Sequence, residues 1–192
     1  MAEYLQLDWQ TITFVIITIL WWAEFRIFPS PGGEERKKSK SFRFILASIL
    51  ISILSTIILT IANVGTIPVN LIEGARIFGL AIYLFGIILR YWSSFLLGDY
   101  FTRAVEVDED QELVSKGPYR FIRHPLYLGL LLLTTAIPVY LGNFIAFIIT
   151  IILMSWSLRH RIKEEEDKLL NILGDKYQKW KKDKYRMIPF IY

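Results

Sequence analysis

The chain contains no cysteine and only two histidines among its 192 residues. Without cysteine it can form no disulfide and present no thiolate, either as a nucleophile or as a metal ligand. Two histidines would need carboxylates to complete a zinc site, so no metal centre is expected. No G-x-G-x-x-G turn follows a predicted strand, which excludes the usual Rossmann domain for a nucleotide cofactor.

Apolar side chains are what the chain has in excess. They make up 54% of its residues, aromatic side chains make up 15%, and the mean hydropathy is positive. This composition is typical of a protein whose main solvent is lipid. Lysine and arginine cluster at 36–43, 116–123 and 159–186, beside apolar runs and without a nucleic-acid-binding motif. We therefore expect membrane lipid as a partner and no nucleic acid.

Five apolar segments are long enough, or nearly so, to cross a bilayer, which takes about 20 apolar residues. They predict transmembrane helices at about 9–28, 44–64, 74–97, 125–141 and 143–158. The first segment follows "MAEYLQLDWQ", which lacks the features of a cleaved signal, so we expect it to be retained as an anchor. The predicted fold class is all-α, a polytopic membrane protein with about five transmembrane helices in a single domain over residues 1–192.

The loop charges predict the orientation. The loop "GGEERKKSKSFR" after the first span is strongly basic, whereas "NVGTIPVNLIEG" after the second has one acid and no base. The positive-inside rule then places the N-terminus outside and the C-terminus in the cytoplasm. The last two spans are separated by a turn with Pro138, Gly142 and Asn143, which predicts an antiparallel hairpin. The polar segments before the fourth span and after the fifth should therefore meet on the cytoplasmic side.

The segment "GPYRFIRHPLYLG" places several polar groups at the start of the fourth span. Pro125 suits the first turn of a helix, and it favours an extended conformation for His124. Beyond the fifth span, Arg161 and Glu165 are spaced to share one helix face. Taken alone, each of these residues favours the simpler interpretation, interfacial anchoring or a solvated helix. Together they predict a polar binding site at the mouth of the hairpin.

At these residues the sequence resembles the isoprenylcysteine carboxyl methyltransferase family and, more broadly, integral-membrane methyltransferases that include phospholipid methyltransferases. The resemblance rests on "LVSKGPYRFIRHPLYLG", an apolar hairpin, "RIKEEEDKLL", "LGDKYQKW" and "PFIY". It implies that S-adenosyl-L-methionine binds in a C-terminal cytosolic helical cofactor pocket built from residues 98–128 and 159–192. The cofactor-binding residues that it implies are Gln111, Glu112, Leu113, Val114, Tyr119, His124, Pro125, Leu126, Tyr127 and Glu165.

The resemblance also implies that Arg161 is the catalytic residue that holds the substrate. Arg90 interrupts the third span about two turns before its end, and it is predicted either to bind the substrate or to extend to the interface. Trp180 stands where relatives often have tyrosine, which we expect to alter packing rather than chemistry. Gln111 stands where some relatives have histidine, which leaves the role of its side chain open.

The favoured function is S-adenosylmethionine-dependent methylation of the carboxylate of a lipophilic substrate, most like a C-terminal isoprenylcysteine. A carboxylate is already nucleophilic and needs only a cation such as Arg161 to place it. An amine acceptor would need a base, a role open to Glu165 or Glu166, so a phospholipid N-methyltransferase is the main alternative. Two further alternatives are an NADPH-dependent membrane sterol-type reductase and a non-catalytic scaffold or transporter.

Overall fold

The computed structural model describes residues 8–28, 40–98 and 113–188. Within these ranges the regular structure consists of five α-helices and a short 3-10 helix at Gly117–Arg120. The α-helices are α1 (Trp9–Ile27), α2 (Lys40–Ile61), α3 (Val69–Leu97), α4 (Pro125–Tyr140) and α5 (Phe144–Lys181). The predicted all-α fold is confirmed.

Four of the helices, α1, α2, α3 and α5, are long and apolar enough to cross a membrane. Helix α4 is apolar but has only 16 residues, which span about 24 Å against the roughly 30 Å of a bilayer core. Large apolar side chains such as Trp22, Val69 and Phe95 are more than 70% exposed. Exposed apolar surface of this kind suits lipid rather than water. The fold is that of a polytopic membrane protein.

Helix α5 extends well beyond the span predicted for residues 143–158, because it continues into the charged segment and, after a kink at Gly174, ends at Lys181. The residues after Leu158 are mostly arginine, lysine, glutamate and leucine, which favour a helix in water as well as in lipid. Only Gly174, with φ of 49°, departs from helical geometry inside α5. One helix therefore carries both the last membrane segment and the predicted site residues Arg161 and Glu165.

The helices pack closely at small side chains. Helices α3 and α4 meet at Gly86 and Gly129, where a Cβ atom on Gly129 would lie 3.0 Å from the Gly86 carbonyl oxygen. Helices α2 and α5 meet at Ser48 and Ser157, whose buried hydroxyl oxygens are 2.5 Å apart. Helices α4 and α5 form the predicted hairpin, and they are joined through Gly142 with φ of 63°.

The end of the bundle where α4 turns into α5 is called here the turn end. Asn143 caps α5 by accepting a hydrogen bond from the Ala146 N-H at 2.9 Å, and its amide donates to the Val64 carbonyl at 3.0 Å. The Phe144 N-H donates to the Gly65 carbonyl at 2.8 Å, which ties the hairpin to the loop after α2. These backbone contacts set the position of α5 relative to α2.

The start of α1 also lies at the turn end. Asp8 caps α1 by accepting from the Thr11 N-H at 2.7 Å, and it accepts from Arg76 of α3 at 2.9 Å. The hydroxyl of Thr11 lies 3.2 Å from the hydroxyl of Tyr140, the last residue of α4. Asp8 at the start of α1 contacts Arg76, and Glu24 near the end of α1 contacts Arg90 further along α3, so α1 and α3 run parallel.

Candidate active site

The opposite end of the bundle, where α4 begins and the charged part of α5 lies, is called here the site end. Pro125 occupies the first position of α4, and His124 is the capping residue but makes no side-chain cap. The backbone before α4 pairs with the end of the chain: the N-H groups of Arg123 and His124 donate to the carbonyls of Tyr185 and Arg186 at 2.8 and 2.9 Å. The imidazole of His124 is therefore held against α5.

His124 lies between two carboxylates of α5. Its Nε2 atom is 3.3 Å from Oε1 of Glu166, and its Nδ1 atom is 3.7 Å from Oε1 of Glu165. The His124 ring also stacks on Tyr127, with ring centroids 5.6 Å apart. The hairpin thus brings together the two polar segments that its topology predicted to be neighbours.

Tyr127 connects the predicted cofactor and substrate residues. Its hydroxyl donates to Oε2 of Glu165 at 2.5 Å and accepts from Nε of Arg161 at 3.2 Å. Nη1 of Arg161 donates to the hydroxyl of Ser41 at 3.1 Å, and Ser41 in turn donates to Glu164. Arg161 is 3% exposed, whereas the side chain of Glu165 is 30% exposed. The carboxylate of Glu165 is therefore the member of this group that an incoming ligand can reach most directly.

Glu166 is more buried than Glu165 and contacts three basic groups. Besides His124, its carboxylate contacts Nη1 of Arg123 at 3.3 Å and Nε of Arg186 at 3.0 Å. Burial acts to raise the pKa of Glu166, but the hydrogen bond with His124 and the two neighbouring arginines outweigh it. The pKa of this carboxyl is therefore lowered. Glu166 holds the tail of the chain, α5 and the start of α4 together.

Two buried phenols border this network. The hydroxyl oxygens of Tyr119 and Tyr177 lie near Ser93 and Glu166, respectively, but neither has a partner at hydrogen-bonding geometry among the described residues. Burial, aided by the negative charge of Glu165, raises the pKa of Tyr119 well above its usual value. Tyr119 is therefore a neutral phenol that can donate a hydrogen bond to a ligand.

Two further predicted cofactor residues, Leu113 and Val114, lie beside the C-terminal part of α5. Leu113 packs on the apolar cluster that includes Tyr177, and the Val114 carbonyl accepts from the indole N-H of Trp180 at 3.1 Å. Trp180 therefore binds this strip through its indole N-H, and the effect of tryptophan in place of tyrosine stays a prediction. Gln111 and Glu112 lie outside the described residues.

Arg90 is buried beside the first turn of α4. Its guanidinium makes a bidentate contact with Glu24 of α1, and it also donates to the Leu126 carbonyl at 3.1 Å. The structure thus places Arg90 beside the predicted cofactor segment. Its substrate-binding role stays a prediction.

Sequence reasoning missed several residues that take part in the network, chiefly Glu24, Ser41, Arg123 and Arg186. Glu24 and Ser41 lie more than 60 residues from the groups they contact, and no local spacing connects them. One signal was available for Glu24, because it is an isolated acid in an apolar helix. Ser41 follows a lysine-rich loop and carried no comparable signal.

Fold and site together define a class of protein: a polytopic membrane protein with a buried, charged side-chain network where two of its helices leave the apolar layer. Comparison with known proteins is more specific. Residues 79–171 match the model of the isoprenylcysteine carboxyl methyltransferase (ICMT) family. The family resemblance is therefore confirmed over the region from α3 to α5.

Two curated relatives are named protein-S-isoprenylcysteine O-methyltransferase. The protein of Dictyostelium discoideum is 36% identical over 112 residues, which cover 57% of this chain and 47% of the relative. The human protein is 30% identical over 134 residues, which cover 69% of this chain and 47% of the relative. The chain thus spans about half the length of these relatives.

A solved structure of the eukaryotic intramembrane Ras methyltransferase ICMT has a similar fold. Its TM-score is 0.63 at 23% identity, covering 74% of this chain and 52% of that chain. At this identity the likeness concerns the fold alone. It agrees with the description of the chain as an integral membrane protein.

Proposed function

We propose that the protein transfers a methyl group from S-adenosyl-L-methionine to the carboxylate of a lipophilic substrate, most like a C-terminal isoprenylcysteine. The observation that carries the proposal is the Tyr127 hydroxyl, which links Glu165 and Arg161 at the mouth of the α4–α5 hairpin. These residues lie within the region that matches the ICMT family. The names of the relatives support the same reaction.

The residues at the site end suit a polar, cationic cofactor. Glu165 offers an accessible carboxylate, and the buried hydroxyl of Tyr119 has a hydrogen bond to give. His124, Tyr127 and the backbone from Leu113 to Val114 would complete the contacts, with Pro125 and Leu126 forming the rigid start of α4. Gln111 and Glu112 are proposed as further contacts. When bound, the sulfonium group supplies an activated methyl group, so the protein needs no nucleophilic side chain of its own.

Arg161 is proposed to orient the acceptor carboxylate. Its guanidinium keeps its charge when buried and can bind a carboxylate through two hydrogen bonds. Tyr127 and Ser41 fix the plane of the guanidinium from two sides. Methyl transfer is an in-line displacement, so fixing the carboxylate and excluding water are the main tasks of the site. An ammonium acceptor would instead be repelled by Arg161.

We propose further that the site end faces the cytoplasm and the N-terminus lies outside. The end of α1 and the start of α2 lie at the site end with the charged part of α5, and the sequence between these two helices is basic. The positive-inside rule favours the cytoplasm for that end. The lipid part of the substrate would enter between helices from the bilayer. The cofactor would enter from the aqueous side.

The first test is titration of S-adenosylmethionine into the detergent-purified protein, with NADPH as competitor. We expect S-adenosylmethionine to bind, and Glu165→Gln to raise its Kd about 10- to 100-fold, because a hydrogen bond to a charged group contributes about 1.5–3 kcal/mol. Asp167→Asn, an exposed acid on the same helix, is the matched control and should bind as wild type does. Binding of NADPH alone would replace the proposal with the reductase alternative.

The second test measures methyl transfer to a prenylcysteine analogue and to phosphatidylethanolamine. Turnover of the analogue should fall from wild type to Arg161→Lys and again to Arg161→Ala, because lysine keeps the charge but loses the bidentate geometry. Cofactor affinity should change little in either variant, and Arg159→Ala, an exposed control, should behave as wild type. If wild type methylates the aminophospholipid faster than the carboxylate, the phospholipid N-methyltransferase alternative is correct.

A further inference from the structure

A buried ion pair joins α1 to α3 between the hydrophobic helices. Glu24 on α1 is fully buried, and Arg90 on α3 is 8% exposed. Nε and Nη2 of Arg90 donate to the two carboxylate oxygens of Glu24 at 2.7 and 2.5 Å, so the contact is bidentate. The remaining terminal nitrogen, Nη1, donates to the backbone carbonyl of Leu126 at 3.1 Å. A single guanidinium therefore links α1, α3 and the first turn of α4.

The start of α4 depends on contacts from outside the helix. His124 precedes the helix without a side-chain cap, and Pro125 has no N-H to donate. The two residues on either side of the Pro125–Leu126 step, His124 and Tyr127, carry the side chains that meet the carboxylates of α5. A shift of this turn would move both rings relative to Glu165.

The stem of Arg90 is also fitted to α4. A Cβ atom on Gly129 would lie 2.5 Å from Cγ of Arg90, so only glycine leaves room for the arginine at this height. The arginine is thus enclosed by the helix whose first turn it binds. This contact explains the glycine that closes the His-Pro-x-Tyr-x-Gly stretch, without requiring a ligand beside it.

Stability alone does not account for a charged pair in this position. Replacing both members of a buried ion pair by apolar residues of similar size is often neutral or stabilising, whereas removing one member is strongly destabilising. Intramembrane charges, moreover, are most often found where function requires them. What the pair adds over an apolar contact is a directed hydrogen bond to the Leu126 carbonyl.

We infer that Glu24 and Arg90 are positioning residues, which hold the first turn of α4 so that His124 and Tyr127 present the correct geometry to the methyl donor. The inference rests on the proposed function for the identity of the ligand. It assigns Arg90 to the cofactor side of the site through Leu126, and so differs from direct binding of the substrate. Glu24 lies outside residues 79–171 and so adds a residue of α1 to the site.

The test is the double variant Glu24→Leu/Arg90→Met in the full-length protein. We expect its melting temperature without ligand to stay within about 3 °C of wild type, because a difference of 1 kcal/mol moves a chain of this size by about 2–4 °C. The Kd for S-adenosylmethionine should rise about tenfold and kcat should fall about tenfold, as small misplacements of binding groups do. KM for the lipid substrate should change little.

The matched control is Asp8→Asn/Arg76→Met, which removes an ion pair between α1 and α3 at the turn end. Arg76 lies 14 residues before Arg90, about 21 Å along the helix. This control should leave the Kd and kcat at wild-type values. If the Glu24/Arg90 variant also binds and turns over as wild type does, the pair is only structural. A rise in KM for the lipid substrate with an unchanged cofactor Kd would assign Arg90 to the substrate and overturn the inference.

A readout that needs no cofactor separates this inference from the proposed function. The chain has only two histidines, so the imidazole NMR signals of His124 and His160 can be assigned with a His160→Gln variant. The double variant should shift the His124 signal and leave the His160 signal in place. An unchanged His124 signal contradicts the inference even if S-adenosylmethionine does not bind wild type. If the double variant does not fold, Arg90→Lys, which keeps the charge but cannot reach both partners, should give the same shift.

Discussion

The two ends of the helical bundle use polar side chains in different ways. At the turn end, Asn143 and Asp8 bind backbone N-H groups, Asn143 also binds the Val64 carbonyl, and Asp8 pairs with Arg76 as well. At the site end, Glu165, Arg161 and Tyr127 bind one another across helices. Side chains that bind the backbone fix the fold, because no ligand can replace them without unfolding a turn. Side chains that bind each other and stay partly exposed, as Glu165 does, can exchange partners with a ligand.

The site end itself divides into two carboxylates with different tasks. Glu166 is 7% exposed and contacts two arginines and His124, whereas Glu165 is more exposed and contacts the Tyr127 hydroxyl. Neighbours in sequence thus differ in exposure and in their partners other than His124. The comparison predicts that Glu166 holds the structure and that Glu165 binds the ligand.

The largest effect on stability is expected for Glu166→Gln. The substitution leaves Arg123 without its charge partner in a buried setting, and breaking such a pair costs about 3–5 kcal/mol. Thermal unfolding in detergent should show this loss, while Glu165→Gln should unfold within about 1 kcal/mol of wild type, as a partly exposed group does. Equal losses in both variants would contradict the division of tasks.

A smaller effect is expected for Asn143→Ala at the turn end. Loss of the helix cap costs about 0.5–2 kcal/mol, and the Val64 carbonyl also loses a donor. Unfolding measurements should detect the change, while the Kd for S-adenosylmethionine should match that of wild type. Asn171→Ala, an exposed asparagine on α5, is the control and should be neutral in both measurements. A weakened cofactor affinity would show that the two ends are coupled.

The smallest effect is a pH dependence confined to acid. The pKa of Glu166 is lowered in the folded protein, so its contribution to stability is complete above its usual pKa of about 4.5. That contribution is lost as the pH falls through the lowered value. The difference in unfolding between wild type and Glu166→Gln should therefore be constant at neutral pH and shrink below about pH 4.5. If the stability difference between wild type and Glu166→Gln instead grows in acid, the pKa of Glu166 is raised and not lowered.

The helices were largely predictable from hydropathy and proline. The start of α4 was predicted at residue 125 and is observed there, since Pro125 suits the first helical position. The fifth span was predicted to end at 158, with a helical segment beyond it, and α5 joins the two as far as Lys181, because hydropathy marks where a chain leaves lipid and not where the helix ends. The third span was predicted to start at residue 74, but α3 starts at Val69, directly after Pro68.

The candidate site was predictable only where its residues share a helix or a motif. His124 and Tyr127 lie in one short stretch, as do Arg161 and Glu165, and the hairpin topology brings these two stretches together. The contacts of Ser41 with Arg161 and Glu164 were not predictable, since 120 or more residues separate them. Such contacts depend on how α2 packs on α5, which small side chains decide and sequence spacing does not.

The continuity of α5 ties the height of the site to the bilayer. Arg161 lies three residues beyond Leu158, the end of the apolar stretch, which is about 4.5 Å along the helix. A membrane thicker or thinner than the apolar stretch is accommodated by tilt or by local deformation of the lipid. A rigid helix would pass that tilt on to the guanidinium. The depth at which a lipid-anchored carboxylate can be met would then vary with bilayer thickness, so acyl chain length in reconstituted vesicles should tune the apparent KM.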